Sequence, residues 1–252
     1  MQALSVVIIT FNEARNIERC IASVKSVADE IVVLDSFSTD RTVEIAESMG
    51  AIVKQKAFSD YIKQKNTALT FASNNYVLCL DADEALDDNL VSAILDTKMN
   101  FSATAYSFNR YTCYCGRFIK HGSWYPDKKI RLLDKRFAQW GGINPHDKIV
   151  LNGTEKTVKH LRGNILHFSY YTLDEHVARI NKYTSISACS LHENGVRSNW
   201  GKILINPFWR FIYGYFIRMG FLDGFYGFVI AINGSYETFQ KYVKLYDLQR
   251  GL

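Results

Sequence analysis

The sequence is poor in proline and lacks closely paired cysteines, and both shortages exclude classes of protein. Only 3 of its 252 residues are Pro and 48% are hydrophobic, which excludes a disordered chain and predicts a packed globular one. The 5 cysteines include no C-x-x-C pair, and Cys113 and Cys115 stand too close together for a usual zinc knuckle. This usage favours reduced thiols in a cytosolic protein. We also expect no signal peptide, because Met1 and Gln2 lead directly into an apolar run.

Motifs for phosphate binding, membrane spanning and nucleic-acid recognition are missing as well. Neither G-x-G-x-x-G nor G-x-x-x-x-G-K-[ST] occurs, which excludes the usual dinucleotide fingerprint and the P-loop. The apolar segment 203–236 is interrupted by Arg210, Arg218 and Asp223, so no uncharged run in it approaches the ~20 residues of a membrane span. No nucleic-acid motif accompanies the basic residues, and we expect no nucleic-acid partner.

The first hundred residues alternate between apolar runs typical of buried strands and stretches with helical periodicity. Strands are predicted at 4–10, 31–34, 52–53 and 76–80, and helices at 17–28, 43–49 and 61–72. Such a succession predicts an α/β fold with a Rossmann-like, mostly parallel sheet flanked by helices. Beyond Ala85 the alternation stops, and we expect a helix over 85–97 followed by strands at 105–111 and 129–133.

Three carboxylates, those of Asp81, Asp83 and Glu84, directly follow the fourth strand. The end of a parallel strand is where open α/β sheets bind their ligands. In an extended backbone Asp81 and Asp83 would point to the same side and repel each other unless a cation sat between them. We therefore expect a divalent cation here, Mg2+ or Mn2+, shared with substrate phosphates.

Other interpretations of these carboxylates stay open. An EF-hand loop fits poorly, because Leu86 occupies the position that needs Gly. A phosphatase motif has its two aspartates, but Ala85 stands where that motif has Thr or Val. The carboxylates could also stabilise the N-terminus of a helix that begins near Ala85, where negative charge is favourable.

Polar residues, including carboxylates, also follow the first two strands, as they follow the fourth. Thr10, Asn12 and Glu13 follow the first strand, and a segment from Asp35 to Asp40 follows the second. Carboxylates there suit the N–H and O–H groups of a base and a ribose, so the edge predicts a pocket for a nucleoside diphosphate with its own cation. Simpler roles are open: Asn12 and Asp40 could cap helices. Glu13 could favour a helix dipole, and Asp35 could form an Asx turn.

Positive charge is concentrated in one segment. Between Arg117 and Arg136 seven Lys or Arg residues stand against Asp127 and Asp134, an excess equal to the +5 of the whole chain. This segment could be a solvated loop, or it could be a basic rim for diphosphates, phosphorylated glycans or lipid headgroups.

Three segments resemble the inverting glycosyltransferases of family 2, which have the GT-A fold: SVVIITFNEARNIERCIASV, DEIVVLDSFSTDRTVEIAESMGA and YVLCLDADE. Later segments resemble the subgroup of bacterial lipopolysaccharide-core glucosyltransferases: GSWYPDKKIRLL, INPHDK, ILHFSYYTLDEHVARINKYTS and RMGFLDGFYGF. The resemblance covers almost the whole chain. It implies a nucleotide-sugar half at 1–98, an acceptor and catalytic half at 99–170, and a helical, aromatic-rich C-terminal region at 171–252.

The resemblance also implies roles for individual residues. Asp35 would accept uracil N3–H, Asp81 would face the ribose, and Asp83 would coordinate the metal that bridges the diphosphate. The other nucleotide-sugar-binding positions would be Thr10, Asn12, Glu13 and Lys65. His167 would complete the metal coordination or contact the diphosphate, although a histidine in an apolar run could equally be a core residue.

The second half would hold the acceptor and the catalytic base. Inverting transfer is a single displacement, so the acceptor hydroxyl needs a base opposite the leaving diphosphate. Asp147 matches that base by position, although the subgroup has Glu there and an ion pair with Lys148 would explain Asp147 structurally. The acceptor-binding candidates are His146, Trp124 and Tyr125. The last two could stack on a sugar ring or simply anchor a loop.

The C-terminal region has a stripe of aromatic and aliphatic residues at helical spacing. The stripe consists of Phe208, Phe211, Ile212, Tyr215, Met219 and Leu222, with Arg210 and Arg218 off it. Such a helix could lie at a bilayer interface, or it could pack on the catalytic domain or on a partner subunit.

Taken together, these interpretations predict a metal-dependent hexosyltransferase. It would move a sugar from a UDP-sugar, with UDP-glucose favoured, to a glycan or lipid-linked acceptor such as lipopolysaccharide core. A polyprenyl-phosphate glycosyltransferase and a non-catalytic nucleotide-sugar-binding subunit are the alternatives. We expect a cytoplasmic protein, peripheral on the inner face of the cytoplasmic membrane if the C-terminal region meets lipid, and an oligomer if that region meets another copy.

Overall fold

The computed structural model describes residues 2–143, 146–153 and 156–251, apart from the side chains of Ile143 and His146. The chain forms two compact units. The first consists of Met1–Arg110 and Asp127–Phe168, and the second of Tyr111–Pro126 and Ser169–Leu252. The functional division into 1–98, 99–170 and 171–252 stays a prediction.

The alternation of strands and helices predicted for the first hundred residues is confirmed. The strands are β1 (Leu4–Thr10), β2 (Glu30–Asp35), β3 (Ile52–Gln55) and β4 (Tyr76–Asp81), and the helices are α1 (Ile17–Val24), α2 (Thr42–Ser48) and α3 (Tyr61–Phe71). The strands form a parallel sheet in the order β3-β2-β1-β4. This order places the carboxyl ends of β2, β1 and β4 side by side.

Antiparallel strands extend this sheet. The next elements are β5 (Glu84–Leu86), α4 (Asp88–Met99), β6 (Ala105–Tyr114), β7 (Arg117–Phe118), β8 (Asp127–Asp134), β9 (Ala138–Ile143), β10 (His146–Leu151) and β11 (Val158–Tyr170). The order continues as β4-β8-β6-β11-β5, while β9 and β10 form a separate two-stranded sheet. The helix predicted from Ala85 begins at Asp88 instead, because β5 pairs with β11 and Asp87 caps the helix by accepting the N–H of Leu90 at 2.8 Å.

Strand β1 is buried on both faces. Val6 and Ile8 pack in one layer with Ile17 of α1, and Val7 packs in the other layer with Ala68 of α3. A strand covered on both faces needs apolar residues at successive positions, which explains why the sequence shows a continuous run there and no alternation.

The second unit is helical, as predicted for the C-terminal region. It contains α5 (Leu173–Glu193), α6 (Trp200–Ile212) and α7 (Gly224–Arg250), with a π-helical turn at Tyr213–Ile217 and a 3-10 turn at Gly220–Asp223. Among the described residues no single helix is long and apolar enough to cross a membrane. The segments Trp200–Ile217 and Gly220–Arg250 meet that criterion only as a pair, which is bent by 71°.

Three residues of the predicted C-terminal stripe, Phe208, Met219 and Leu222, are exposed and do not belong to the core of the second unit. Packing of the stripe on the catalytic domain or on a partner subunit stays a prediction.

His176 lies in the core of the second unit. Its Nδ1 lies 2.8 Å from the hydroxyl of Tyr114 and accepts a hydrogen bond from the side-chain amide of Asn233 at 3.0 Å. The imidazole ring also contacts the rings of Trp124 and Tyr170. Burial lowers the pKa of His176 to about 4. The imidazole therefore serves as a hydrogen-bond acceptor at neutral pH.

Strand β11 passes close to the start of α4 because glycine permits it. Gly163 has a φ of +113°, and a Cβ on it would lie 2.3 Å from the backbone nitrogen of Leu90. The following residue, Asn164, donates to the Asp87 carboxylate through its backbone N–H at 3.0 Å and its side-chain amide at 2.8 Å. These contacts hold the register in which β11 pairs with β5.

Gly163→Ala should lower the free energy of unfolding by about 3 kcal/mol or more, because a clash with backbone adds to the strain of a positive φ. Urea unfolding followed by circular dichroism measures the loss. Gly153→Ala is the matched control, since Gly153 has a φ of +89° with open space around its Cβ position. The control should lose only about 1–2 kcal/mol. Equal losses would show that the close approach does not matter.

Candidate functional site

The carboxyl ends of β2, β1 and β4 bring predicted nucleotide-binding residues together. Thr10 at the end of β1 pairs with Asp35 at the end of β2, and Ile9 pairs with Asp81 at the end of β4. Because neighbouring strands lie about 4.8 Å apart, Asp35 and Asp81 stand on either side of β1 at one edge of the sheet. This edge presents acidic side chains and no glycine-rich phosphate loop.

Donors from two neighbouring segments hold Asp35 in place. Its Oδ2 accepts the N–H of Ser38 at 2.9 Å and the side-chain amide of Gln55 at 3.1 Å, and the Ser38 hydroxyl donates to Oδ1. The contact with Ser38 is the local turn that the sequence offered as an alternative role for Asp35. The turn fixes the position of the carboxylate, and its recognition of a base stays a prediction.

The loop after β1 is tied to the loop after β2. Asn12 has a φ of +54°, and its side-chain oxygen accepts the N–H of Thr39 at 2.8 Å. The N–H of Glu13 donates to the hydroxyl of Thr42 at 2.8 Å. The interpretation of Asn12 as the cap of α1 is wrong, because Asn16 stands at that position.

Asp40 has a related role between the same loops. Its carboxylate accepts the N–H groups of Ala14 at 3.1 Å and Thr42 at 3.0 Å. Thr42 is the first residue of α2, so Asp40 satisfies an N–H at the start of this helix, as expected of a cap, although Arg41 stands at the position before the helix.

Lys65 of α3 lies at the centre of the site. Its side chain is buried, and its Nζ lies 3.2 Å from Asp81 Oδ1 and 2.9 Å from Asp147 Oδ2. The Trp140 ring lies 4.5 Å from the ammonium and adds a cation–π attraction. The structure thus joins the predicted nucleotide-binding lysine to the predicted base. It shows no ion pair between Asp147 and Lys148, both of which it describes.

Cations of the protein itself surround Asp81. In addition to Lys65, Arg131 of β8 approaches Asp81 Oδ2 to 3.2 Å. Burial by itself raises the pKa of Asp81, but the charges of Lys65 and Arg131 outweigh burial and hold the pKa well below its ordinary value. Asp81 is therefore ionised at neutral pH. Side-chain cations relieve the repulsion for which the sequence suggested a metal between Asp81 and Asp83.

The sequence did not place Arg131 in the site, and it did not predict that Glu84, one of the three strand-end carboxylates, would pair with it. Both are almost fully buried, with Arg131 4% exposed and Glu84 1% exposed. Arg131 Nη2 lies 3.0 Å from Glu84 Oε1, and Glu84 Oε2 accepts the backbone N–H of Asp81 at 3.0 Å. Glu84 therefore stabilises the end of β4. It does not stabilise the N-terminus of a helix, which was the alternative role for these carboxylates. The available signal was the position of Arg131 inside the apolar run 130–133, where a charged side chain needs a buried partner.

Asp83 and His167 meet at a second point of the site. The chain turns at Ala82 and Asp83, so the extended backbone expected for 81–83 is wrong. In the pairing of β5 with β11, His167 stands opposite Glu84, and its Nε2 lies 3.3 Å from Asp83 Oδ2. Both side chains are largely buried, at 11% exposed for His167 and 16% for Asp83.

A carboxylate oxygen suits Mg2+ or Mn2+, whereas an imidazole nitrogen suits Mn2+ better than the oxygen-preferring Mg2+. Within the described part of the chain, no three His, Cys, Asp or Glu side chains converge to hold a metal alone. A cation at Asp83 and His167 would therefore share its coordination with substrate oxygens and water, as is usual for Mg2+. The other carboxylates of the site are contacted by side-chain cations: Lys65 lies against Asp81 and Asp147, and Arg131 and Arg110 lie against Glu84.

Asn66 positions the strand pair that carries Asp147. Its side-chain amide donates to the Trp140 carbonyl at 2.9 Å and accepts the Trp140 N–H at 2.9 Å. Trp140 belongs to β9, whose Gly142 pairs with Asp147 of β10. Because Asn66 follows Lys65 directly, α3 holds both the ammonium and the strand pair that presents the carboxylate. No local signal in the sequence distinguishes Asn66 from a solvated helix residue.

The predicted acceptor-binding residues have other contacts. Trp124 and Tyr125 belong to the second unit, where the Trp124 ring stacks on Tyr170 at 5.6 Å and the Tyr125 ring lies 5.3 Å from that of Tyr111. These contacts fit the interpretation as loop anchors, and an acceptor role stays a prediction. His146 begins β10, and its side chain lies outside the described part of the chain.

The basic segment 117–136 is not a continuous basic rim. Arg131 is buried in the site, Lys129 Nζ lies 3.0 Å from Asp127, and Arg136 Nη2 lies 2.6 Å from Asp134. Carboxylates thus engage three of the seven cations on which the predicted anion-binding rim depended.

Known proteins are similar to this chain over different lengths. The family model of glycosyl transferase family 2 matches residues 5–153. An uncharacterised glycosyltransferase of Rickettsia bellii is 35% identical over 97% of this chain and 86% of its own. The lipopolysaccharide core biosynthesis glycosyltransferase LpsC of Rhizobium meliloti is 27% identical over 97% of this chain and 92% of its own. The solved glucosyl-3-phosphoglycerate synthase of Mycobacterium tuberculosis with Mn2+ and UDP-glucose is 23% identical with a TM-score of 0.38, over 44% of each chain.

Asn66→Ala should loosen the β9–β10 pair, because it removes both hydrogen bonds to Trp140. We expect faster amide hydrogen exchange in β9 and β10 and a loss of about 1–3 kcal/mol in the free energy of unfolding. Asn74→Ala is the control, since the Asn74 side chain donates to Ser5 and contacts neither strand. If exchange in the strand pair stayed at the wild-type rate, Asn66 would not be its anchor.

Proposed function

The chain belongs to glycosyl transferase family 2, and on that premise we propose that it moves a sugar from a UDP-sugar to an acceptor hydroxyl in one metal-assisted, inverting displacement. Its α/β architecture is the GT-A fold expected for the family. One observation carries the proposal: Lys65 Nζ contacts both Asp81, at 3.2 Å, and Asp147, at 2.9 Å. That contact joins the strand edge suited to a nucleotide to the carboxylate suited to a base.

The donor is proposed from the chemistry of the strand ends. A uracil base presents an N–H group and a ribose presents hydroxyls, and all of these need hydrogen-bond acceptors. The carboxylates of Asp35 and Asp81 supply such acceptors on either side of β1, and Thr10 adds a hydroxyl. UDP-glucose is the favoured donor, by the resemblance of the later segments to the core glucosyltransferases.

The acceptor is proposed from the similarity to LpsC, which extends over almost the full length of both proteins. A glycan of the lipopolysaccharide core, free or linked to lipid, would offer the attacking hydroxyl.

Asp83 and His167 would hold the Mg2+ or Mn2+ ion, with one oxygen and one nitrogen 3.3 Å apart. When bound, the ion would stabilise the negative charge that develops on the leaving diphosphate. Both protein ligands are fixed by backbone pairing, since the Phe168 N–H donates to the Asp83 carbonyl at 2.8 Å. This pairing supports the proposal because it keeps the Asp83 oxygen and the His167 nitrogen close together.

Asp147 would act as the general base through its Oδ1. Lys65 binds Oδ2 and orients the carboxylate, and no hydrogen bond from the described residues reaches Oδ1. The acceptor oxygen would bond to the anomeric carbon while its proton passes to Asp147 Oδ1. The bond between the anomeric carbon and the diphosphate oxygen breaks in the same step, and the nucleoside diphosphate leaves with that electron pair.

Asp83→Asn should weaken UDP binding in the presence of Mn2+ by roughly tenfold or more, because a metal ligand loses its charge. Titration calorimetry with and without Mn2+ measures this effect without turnover. EDTA should abolish transfer by the wild-type protein. Asp88→Asn is the matched control, an exposed carboxylate at the start of α4 whose loss should leave UDP affinity unchanged. A wild-type protein that transfers sugar at full rate in metal-free buffer would refute the metal site.

Asp147→Asn should lower kcat by about 10²–10⁴-fold, the usual contribution of a general base, with UDP affinity near wild type. The measurements are single-turnover transfer with saturating acceptor and UDP calorimetry. Asp147→Glu should recover part of the rate, because it restores a carboxylate. Lys148→Gln, on the same strand, is the control and should keep both properties.

Two outcomes would contradict the assignment of the base. Loss of UDP affinity together with transfer in Asp147→Asn would make Asp147 a structural partner of Lys65. Retention of both would move the search for the base to Asp127, Asp134 or Asp174. No transfer by the wild type to any acceptor, with UDP still bound, would favour the non-catalytic sugar-binding subunit.

A further inference from the structure

Residues 200–232 form a surface that we call the apolar tail surface. Within this segment, all of which the structure describes, the exposed residues are fourteen large apolar or aromatic side chains and two glycines. Trp200 is 67% exposed, Phe208 66% and Phe225 70%. No exposed position carries a charge or an amide side chain. Large exposed apolar surfaces of this kind mark interaction sites, because surfaces that face water mix polar and apolar residues.

Two charged residues of the same segment bind towards the interior of the second unit. Arg218 donates to the backbone carbonyl of Tyr125 at 3.1 Å, and Asp223 accepts the N–H of His121 at 2.8 Å. Lys202, near the start of the segment, donates to the backbone carbonyl of Arg197. Arg218 and Asp223 are thus satisfied by the protein itself, while the exposed side chains around them are apolar. This is the polarity of a surface that faces lipid, where an outward charge would be costly.

Helix α6 shows how the sequence produces this polarity. Its buried residues Ile203 and Pro207 are four positions apart, and the exposed pairs beside them are Leu204 with Ile205 and Phe208 with Trp209. Both faces of the helix are therefore apolar. A helix that packed one face on a core and met water with the other would carry polar residues at the second set of positions.

The charge of the chain favours an anionic partner for this surface. The second unit contains eleven Lys or Arg and six Asp or Glu, a net charge of +5, whereas the first unit contains nineteen of each and is neutral. Two copies of the chain meeting at the apolar tail surface would bring together two units of like charge. An anionic bilayer would instead attract the unit electrostatically before the apolar side chains insert.

We propose that the apolar tail surface docks on an anionic lipid bilayer, the cytoplasmic leaflet in a cell, and inserts its aromatic side chains without crossing. Trp200–Ile217 would be about 27 Å long as a straight helix, close to the ~30 Å of a hydrocarbon core. It is followed, however, by a 71° bend, so this pair does not offer a straight span. Aromatic residues such as Trp200 and Trp209 are enriched at the depth of the lipid headgroups. The proposal does not rest on the transferase assignment.

The test is flotation of the full chain with vesicles of phosphatidylcholine alone or mixed with phosphatidylglycerol. The wild type should bind the mixed vesicles and detach as NaCl rises from about 0.05 to 0.5 M, because salt screens the electrostatic attraction. Phe208→Ser combined with Phe225→Ser should weaken binding at least about tenfold, since two exposed phenyl groups lose their burial in lipid. Phe71→Ser combined with Phe137→Ser is the matched control, at phenylalanines of the first unit that are 40% and 46% exposed. The control should bind as the wild type does.

Three results would overturn the proposal: no binding of the wild type to mixed vesicles, equal binding to neutral vesicles, or equal binding of the tail variant. A lipid-free wild-type dimer that the tail variant fails to form, without vesicle binding by either, would identify a second copy as the occupant. UDP calorimetry in Mn2+ and circular dichroism on the tail variant should match the wild type. A failure of membrane binding is thereby distinguished from a failure of the proposed function or of folding.

Discussion

The buried ammonium of Lys65 is the interaction on which the site depends. A cation that is only 7% exposed must have carboxylates within reach, and Asp81 and Asp147 provide them from two different sheets. Asn66 on the same helix fixes the strand that presents Asp147, and Arg131 completes the surroundings of Asp81. Removing one partner would leave an uncompensated buried charge, which typically costs about 3–5 kcal/mol. The carboxylates proposed as the base and as part of the nucleotide edge thus belong to the same stabilising network.

The strand edge could be predicted from the sequence because its signals are local. Continuous apolar runs predict strands that are buried on both faces, and polar residues mark where each run ends. The rule for crossover connections then predicts that these strands are parallel. Those three facts suffice to bring Thr10, Asp35 and Asp81 to one edge, where the structure places them. In the C-terminal region, periodicity predicts only the helical stripe from Phe208 to Leu222, and the helical character of 171–252 is what the resemblance implies.

The rest of the site depends on register between distant strands, which no local pattern specifies. Asp83 meets His167 only because Gly163 lets β11 approach Leu90 and pair with β5 in one register. Arg131 was one of seven basic residues in the segment 117–136, and no local pattern distinguishes it as the partner of the buried Glu84. In the C-terminal region, periodicity identifies an apolar stripe, but it does not predict which face of the helix is buried and which is exposed. There both sides of α6 are apolar, a pattern that a search for a single amphipathic face passes over.

The turn at Ala82 and Asp83 separates two electrostatic tasks that an extended backbone would have combined. Had residues 81–83 stayed extended, both aspartates would have pointed to one side and faced the same two side-chain cations. With the turn, Lys65 and Arg131 neutralise Asp81 permanently, and Asp83 is directed to His167. The end of β4 is therefore held together by side-chain ion pairs and by backbone pairing.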